Sequence, residues 1–93
     1  MILKLGKIVC TARVDNDMKN DPLFQMEISN RLIFHQQCLF NETTLCEDDI
    51  QTNIDALENG DRVLNSFDTN KDNIWIITEG DRSYTTILYP DEY

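Results

Sequence analysis

Ninety-three residues carrying 17 acidic and 8 basic side chains, a formal net charge of −9 and a hydrophobic fraction of 41% make one small acidic domain. A chain of this length buries only about 60–65% of the surface its unfolded form exposes, so one modest core is expected and a deep catalytic cavity is not. No run approaches the ~18 apolar residues of a membrane span, Lys4 and Lys7 interrupt what would be the apolar region of a secretory signal, and three cysteines without a Cys-x-x-Cys pair point to a reducing cytoplasm rather than a disulfide framework.

In chain order, the stretch LKLGKIVCTARV is β-branched and mostly uncharged, which predicts a strand near residues 3–13. Cys10 and Cys38 sit in apolar neighbourhoods and are expected to be small core residues. DNDMKND is polar and suits a short helical turn. Asp21-Pro22 then has the form of an N-cap followed by proline at the first helical position. From there Phe24, Ile28, Leu32, His35 and Leu39 recur at spacings of three and four, predicting a helix over about 22–38. Thr44 and Glu47 have capping-box spacing and open a second helix. On it Ile50, Ile54 and Leu57 form one apolar stripe, and Gly60 supplies the left-handed residue that ends it. Asp48 and Asp55 lie opposite that stripe, with Glu47 and Glu58 on a flank, so this helix should dock by its aliphatic side and show carboxylates to water. Beyond Gly60, DRVLNSF, IWIIT and SYTTILY read as strands joined by short turns, an antiparallel meander. A two-residue Gly80-Asp81 turn of type II′ would set Glu79 against Arg82, Thr78 against Ser83, Ile77 against Tyr84 and Trp75 against Thr86. Trp75, Ile77, Tyr84 and Leu88 then share one face; Ile74, Ile76, Ile87, Thr78, Ser83 and Thr85 share the other. The expected fold class is α+β: an N-terminal strand, two helices and a three-stranded antiparallel meander, which can curl and recruit the first strand.

The charge is uneven along the chain. Residues 1–14 carry Lys4, Lys7 and Arg13 and no acid; residues 15–93 carry 5 basic and 17 acidic residues, a net charge of −12. Such a field repels nucleic acid and attracts basic partners. Catalytic residue sets are harder to find. A nucleophile needs a base within hydrogen-bond reach. His35 is the only histidine and is distant in sequence from Ser83; Cys38 follows it by three residues, a spacing that makes neighbours on a helix. His35 is expected to be a polar residue at a helix end, satisfied by local contacts. One histidine and scattered cysteines give no zinc spacing, and DTNKDN lacks the glycine and glutamate of a calcium loop. Neither a metal nor a cofactor is expected, and Glu79, Asp81, Arg82 and Ser83 read as turn chemistry rather than acid–base machinery.

Four stretches carry a resemblance: LGKIVCTARV, VDNDMKNDPLFQMEI, CEDDIQTNIDALENGDRVLNSF and IWIITEGDRSYTTILYPDEY. Over nearly its whole length the chain resembles a family of small proteins of bacterial plasmids, phages and other mobile elements, often labelled plasmid-related and sometimes type I restriction subunit. The motif positions it shares are His35, Asp49, Asn53, Gly60, Arg62, Ser66, Trp75, Thr78, Glu79, Asp81, Arg82, Ser83 and Thr85, expected to be structural. Family members typically read Arg-His and then a short Gly-Asp-Trp-Gly-Asp loop; here Phe34 precedes His35 and QQCLFNETTL replaces the loop. The resemblance implies a mobile-element setting inside a bacterial host cell, and it carries no catalytic activity over to this chain.

Together these readings lead to a non-enzymatic acidic interaction protein that binds and inhibits a host defence or nucleic-acid-handling complex, with no direct contact to nucleic acid or membrane. The expected contact surface is Glu47, Asp48, Asp55 and Glu58 with the divergent loop of Leu39, Phe40, Asn41 and Glu42. DNA mimicry is one alternative and a small nucleic-acid-processing enzyme or accessory factor another; a homodimer through a sheet edge or apolar face is compatible with the first reading.

Overall fold

The computed structural model describes residues 2–93. A short strand, β1 (Lys7–Cys10), is followed by α1 (Ala12–Asn20), α2 (Pro22–Gln36), a 3-10 turn at Phe40–Glu42 and α3 (Glu47–Asn59). Three strands, β2 (Val63–Asp68), β3 (Asn73–Thr78) and β4 (Tyr84–Leu88), and a closing 3-10 turn at Pro90–Glu92 complete the chain. The sheet order is β1-β4-β3-β2. The meander is antiparallel, and β1 joins its far edge parallel to β4, with Val9 opposite Thr86 and Cys10 opposite Ile87. The α+β architecture, with the first strand recruited, is the expected one.

The first strand is shorter than LKLGKIVCTARV suggested. Gly6 adopts a left-handed backbone (φ 64°) and passes so close to the β4 entry that an added Cβ would lie 2.5 Å from Arg82 O. Strand pairing therefore begins only at Lys7. At its other end the Thr11 hydroxyl accepts from Val14 N and starts α1, a nine-residue helix where a single turn was expected. α2 begins as read: Asp21 accepts from Leu23 N and Phe24 N, with Pro22 in the first turn.

One sheet face carries Val63, Asn65 and Phe67 of β2, Ile74, Ile76 and Thr78 of β3, and Thr85 and Ile87 of β4, all buried. α1 and α2 cover it, packing Val14, Phe24 and Ile28 against Phe67, Ile74, Ile76 and Ile87. Tyr89 extends this core: it stacks on Phe24 with ring centroids 6.3 Å apart, and its hydroxyl donates to Asp17 at 2.5 Å. A smaller cluster of Leu3, Leu5, Phe40, Ala56 and Val63 seats α3 beside the sheet. Burial of a Val-, Leu- or Phe-sized side chain contributes about 1.5–3 kcal/mol each, so these two clusters dominate the folding free energy.

The turn between β3 and β4 differs from the expected two-residue loop. Thr78 pairs with Thr85, Ile77 with Thr86 and Trp75 with Leu88. Arg82, not Gly80, takes the left-handed conformation (φ 62°), and Arg82 N donates to Glu79 O while Glu79 N donates to Tyr84 O. The loop thus gains two residues. A slip of two preserves side-chain alternation, so the expected faces stand, except that Ser83 lies in the turn.

Candidate functional site

α3 is the acidic element. Between residues 42 and 61 the chain has seven carboxylates and no basic side chain. Glu47, Asp48, Asp49, Asp55 and Glu58 are exposed, and none takes part in an ion pair among the described residues. Glu47, Asp48 and Asp49 occupy the first turn, where the helix dipole favours negative charge by a few tenths of a kcal/mol each. The helix opens on Cys46, with no side-chain cap. Thr44, expected to cap it, is drawn instead to β2: its N–H donates to Ser66 O at 2.8 Å and its hydroxyl to Ser66 Oγ at 2.7 Å.

The aliphatic stripe also needs correction. Ile50 and Leu57 are half-buried, but Ile54 is 39% exposed, and the residues facing the interior are Asn53 and Ala56. Asn53 is drawn in by the edge of β2: its Oδ1 accepts from Leu64 N at 3.1 Å and its Nδ2 donates to Leu64 O at 2.9 Å. One side-chain amide thereby replaces the strand that the edge lacks. Of the loop residues expected to make contact, Leu39, Asn41 and Glu42 are exposed, whereas Phe40 is buried beneath α3 and belongs to the core.

Asn53 also begins a buried polar chain. Its Nδ2 donates to Asn65 Oδ1 at 2.9 Å; Asn65 Nδ2 donates to His35 Nδ1 at 2.7 Å; His35 Nε2 donates to Thr78 Oγ1 at 2.8 Å. Thr78 then donates to Thr85 Oγ1 at 2.7 Å, and Thr85 to Leu5 O at 2.8 Å. The amide donor fixes Nδ1 as the acceptor, so the ring is the neutral Nε2–H tautomer. Burial first, and the Arg82 charge second, lower the His35 pKa to about 4. His35 is thus satisfied from β2 and β3 rather than by local contacts. The Cys38 thiol is not among its partners, since Cys38 lies beyond α2 in a left-handed conformation. Four motif positions, His35, Asn53, Thr78 and Thr85, meet in this one network. Several others serve turns and ends: Gly60 ends α3 in a left-handed conformation (φ 73°), Asp81 accepts from Ser83 N and Oγ, Arg82 donates to Asp61 O at 2.7 Å and to Glu79 O, and Arg62 lies over the Tyr93 ring at 5.7 Å.

The second sheet face carries Val9, Thr86, Ile77 and Leu64 in one cross-strand row and Leu88, Trp75 and Ser66 in the next. Where it meets α3 there is a groove of about 490 Å³. Trp75, Ser66 and Leu64 border it from the strands, Asp49, Thr52 and Asn53 from the helix, and Thr44 and Leu45 from the connecting loop. Trp75 packs edge-on against Tyr93 at 5.3 Å. Leu45, Thr52 and Leu64 escaped the sequence reading, and Thr44 was read there only as a helix cap; the pairing of Ser66 with Trp75 across β2 and β3, which sets the strand side of the groove, has no local sequence signal.

Neither family models, curated proteins nor solved structures gave a match to the chain. Among the described residues no helix is long and apolar enough to cross a membrane, and no cluster of three or more His, Cys, Asp or Glu is arranged to hold a metal ion.

Proposed function

We propose that the chain is a non-enzymatic acidic interaction protein of a phage or other mobile element, acting by protein–protein contact on a basic surface of a host defence complex of restriction, CRISPR or BREX type. The observation that carries this reading is the α3 exterior: Glu47, Asp48, Asp55 and Glu58 stand in water, with no cation of this chain paired to them among the described residues. Charge left uncompensated on a rigid helix steers encounter with an oppositely charged partner and fixes register more than it adds raw affinity. The engagement of both His35 nitrogens inside the fold agrees with a binding role, because a general base must reach its substrate directly or through one water.

Charge spacing separates protein binding from DNA mimicry. Glu47 to Glu58 spans about 16 Å of helix axis at ~1.5 Å per residue, a length over which duplex DNA presents about ten phosphates at one charge per ~1.7 Å. Five carboxylates on that stretch make only half a phosphate row.

The test is an inhibition assay in a bacterial host with an active defence system. Expression of the chain should raise plating of a restricted phage by about tenfold or more, and the double variant Asp48→Lys/Asp55→Lys should remove that gain while folding normally. Inhibition that survives both reversals removes the α3 surface from the mechanism.

A further inference from the structure

We propose that the groove between α3 and the second sheet face is a receptor for one arginine side chain of a partner protein, with the half-buried Trp75 as stacking platform and Asp49 as counter-charge. This deepens the proposed function by naming the partner group that the acidic surface would draw in.

The first support is how this chain uses its own cations. Arg13 lies over Tyr89 at 4.4 Å, Arg31 over Phe34 at 5.8 Å and Arg62 over Tyr93 at 5.7 Å. Arg82 is committed to the carbonyls of Asp61, Glu79 and Ala56. Every arginine is therefore engaged, while Trp75, the only indole in the sequence and the best aromatic acceptor for a cation, holds none among the described residues. No basic side chain borders the groove.

The second support is the chemistry of the lining. Asp49 is exposed and outside every ion pair among the described residues; its carboxylate accepts only from the Cys46 thiol, at 3.4 Å. Thr52 and Ser66 add hydroxyl oxygens that can accept from a guanidinium edge, and Leu64 supplies an apolar surface for its methylene stem. A planar, five-donor guanidinium uses all of these at once: its face stacks on the indole and its edge meets the carboxylate. A lysine ammonium can also sit over the indole, but as a compact, strongly hydrated point charge it offers no plane to stack there and no fork to meet the carboxylate at the same time. The ~490 Å³ volume falls within the ~300–1,000 Å³ of typical ligand clefts and admits one long side chain. The field of a molecule with net charge −9 raises the local concentration of such a cation.

The single tryptophan makes the test direct. The probe is a blocked Gly-Arg-Gly tripeptide, titrated to roughly 20 mM at low salt, alongside its citrulline and lysine counterparts. Trp75 fluorescence and the Trp75 indole N–H resonance are the readouts. The arginine peptide should shift both saturably. The citrulline peptide, which keeps the plane and loses the charge, should bind at least fivefold more weakly, and the lysine peptide should fall between them. Asp49→Asn, a surface change of equal shape, should weaken the arginine peptide at least fivefold. Equal binding of the citrulline peptide, an unchanged affinity in Asp49→Asn, or an unresponsive Trp75 would each overturn the proposal. The two readings fail separately: loss of host inhibition in Asp48→Lys/Asp55→Lys with no tripeptide binding retains the helix surface and discards the groove, and tripeptide binding without an effect of those reversals does the opposite.

Discussion

His35 can accept from Asn65 and donate to Thr78 only as a neutral ring, and protonation at Nδ1 would set an N–H against the Asn65 amide donor. Burial holds its folded pKa at about 4, below the ordinary histidine value of about 6.5. The unfolded chain therefore binds the proton more readily, and stability drains away as pH falls between those values. The contribution is fully present above about pH 6.5 and gone below about pH 4, a loss of about 3 kcal/mol at 1.36 kcal/mol per pH unit. We expect urea unfolding to show this slope over and above the carboxylate contribution, and His35→Gln to flatten it while lowering stability at neutral pH. Ring nitrogen shifts in the native protein should hold the neutral Nε2–H pattern down to about pH 5; protonation of the ring above pH 6 in the folded state would refute the assignment. Elsewhere at this scale, burial and the hydrogen bond to Asp17 push the Tyr89 hydroxyl upward, which keeps it a donor in the seam between α1 and the sheet.

At the scale of elements, β2 is an edge strand whose outward backbone groups are capped by side chains. Asn53 serves both groups of Leu64, Thr44 serves the carbonyl of Ser66, and Arg31 Nε donates to Asp68 O at 3.3 Å. This blunts an edge that would otherwise be open to pairing. Asn53→Ala leaves the Leu64 N–H and Asn65 Oδ1 without their partners inside a mostly buried setting, so it should cost about 2–4 kcal/mol. Hydrogen exchange at the Leu64 amide should accelerate well beyond its neighbours; an unchanged Leu64 rate would show that Asn53 does not cap the edge. The same residue marks where the sequence stops being legible. The Asp21-Pro22 start of α2, the Gly60 end of α3 and the alternation along β2, β3 and β4 depend on groups a few residues apart and could be read directly. Burial of Asn53 in place of Ile54, the diversion of Thr44 to Ser66 and the satisfaction of His35 by Asn65 and Thr78 depend on partners 11 to 43 residues away. Periodicity carries no information about those. The carboxylates of α3 were legible from their helical spacing; the groove was not, because it needs the β2–β3 register and the docking of α3 together.

For the whole molecule the controlling quantity is charge packed into a small volume. Net charge −9 sits on a fold whose Cα radius of gyration is 12.5 Å. The screening length is about 30 Å at 0.01 M salt and about 8 Å at 0.15 M, so at low salt it is comparable to the 38 × 26 × 23 Å extent of the molecule and carboxylates repel across most of it. Among the described residues the four ion pairs, Arg13–Asp91, Lys19–Asp15, Arg31–Glu27 and Lys71–Asp17, contribute little: three of them involve exposed side chains, and such pairs are worth about 0–1 kcal/mol each. Repulsion should therefore outweigh attraction, and added salt should stabilise the fold. We expect the melting temperature to rise by several degrees between 0.01 M and 0.15 M sodium chloride, about 1 kcal/mol corresponding to roughly 4–8 °C in a domain this size. Asp48→Lys/Asp55→Lys, which moves the net charge from −9 to −5, should melt higher than the parent at low salt and respond less to added salt. A melting temperature that falls with salt would mean that the four pairs and the helix dipole outweigh the repulsion. The comparison also bears on why the carboxylates are there. A helix whose charge reversals stabilise the fold while abolishing partner inhibition keeps its acids at the expense of stability, as expected of a binding surface and not of one selected for folding.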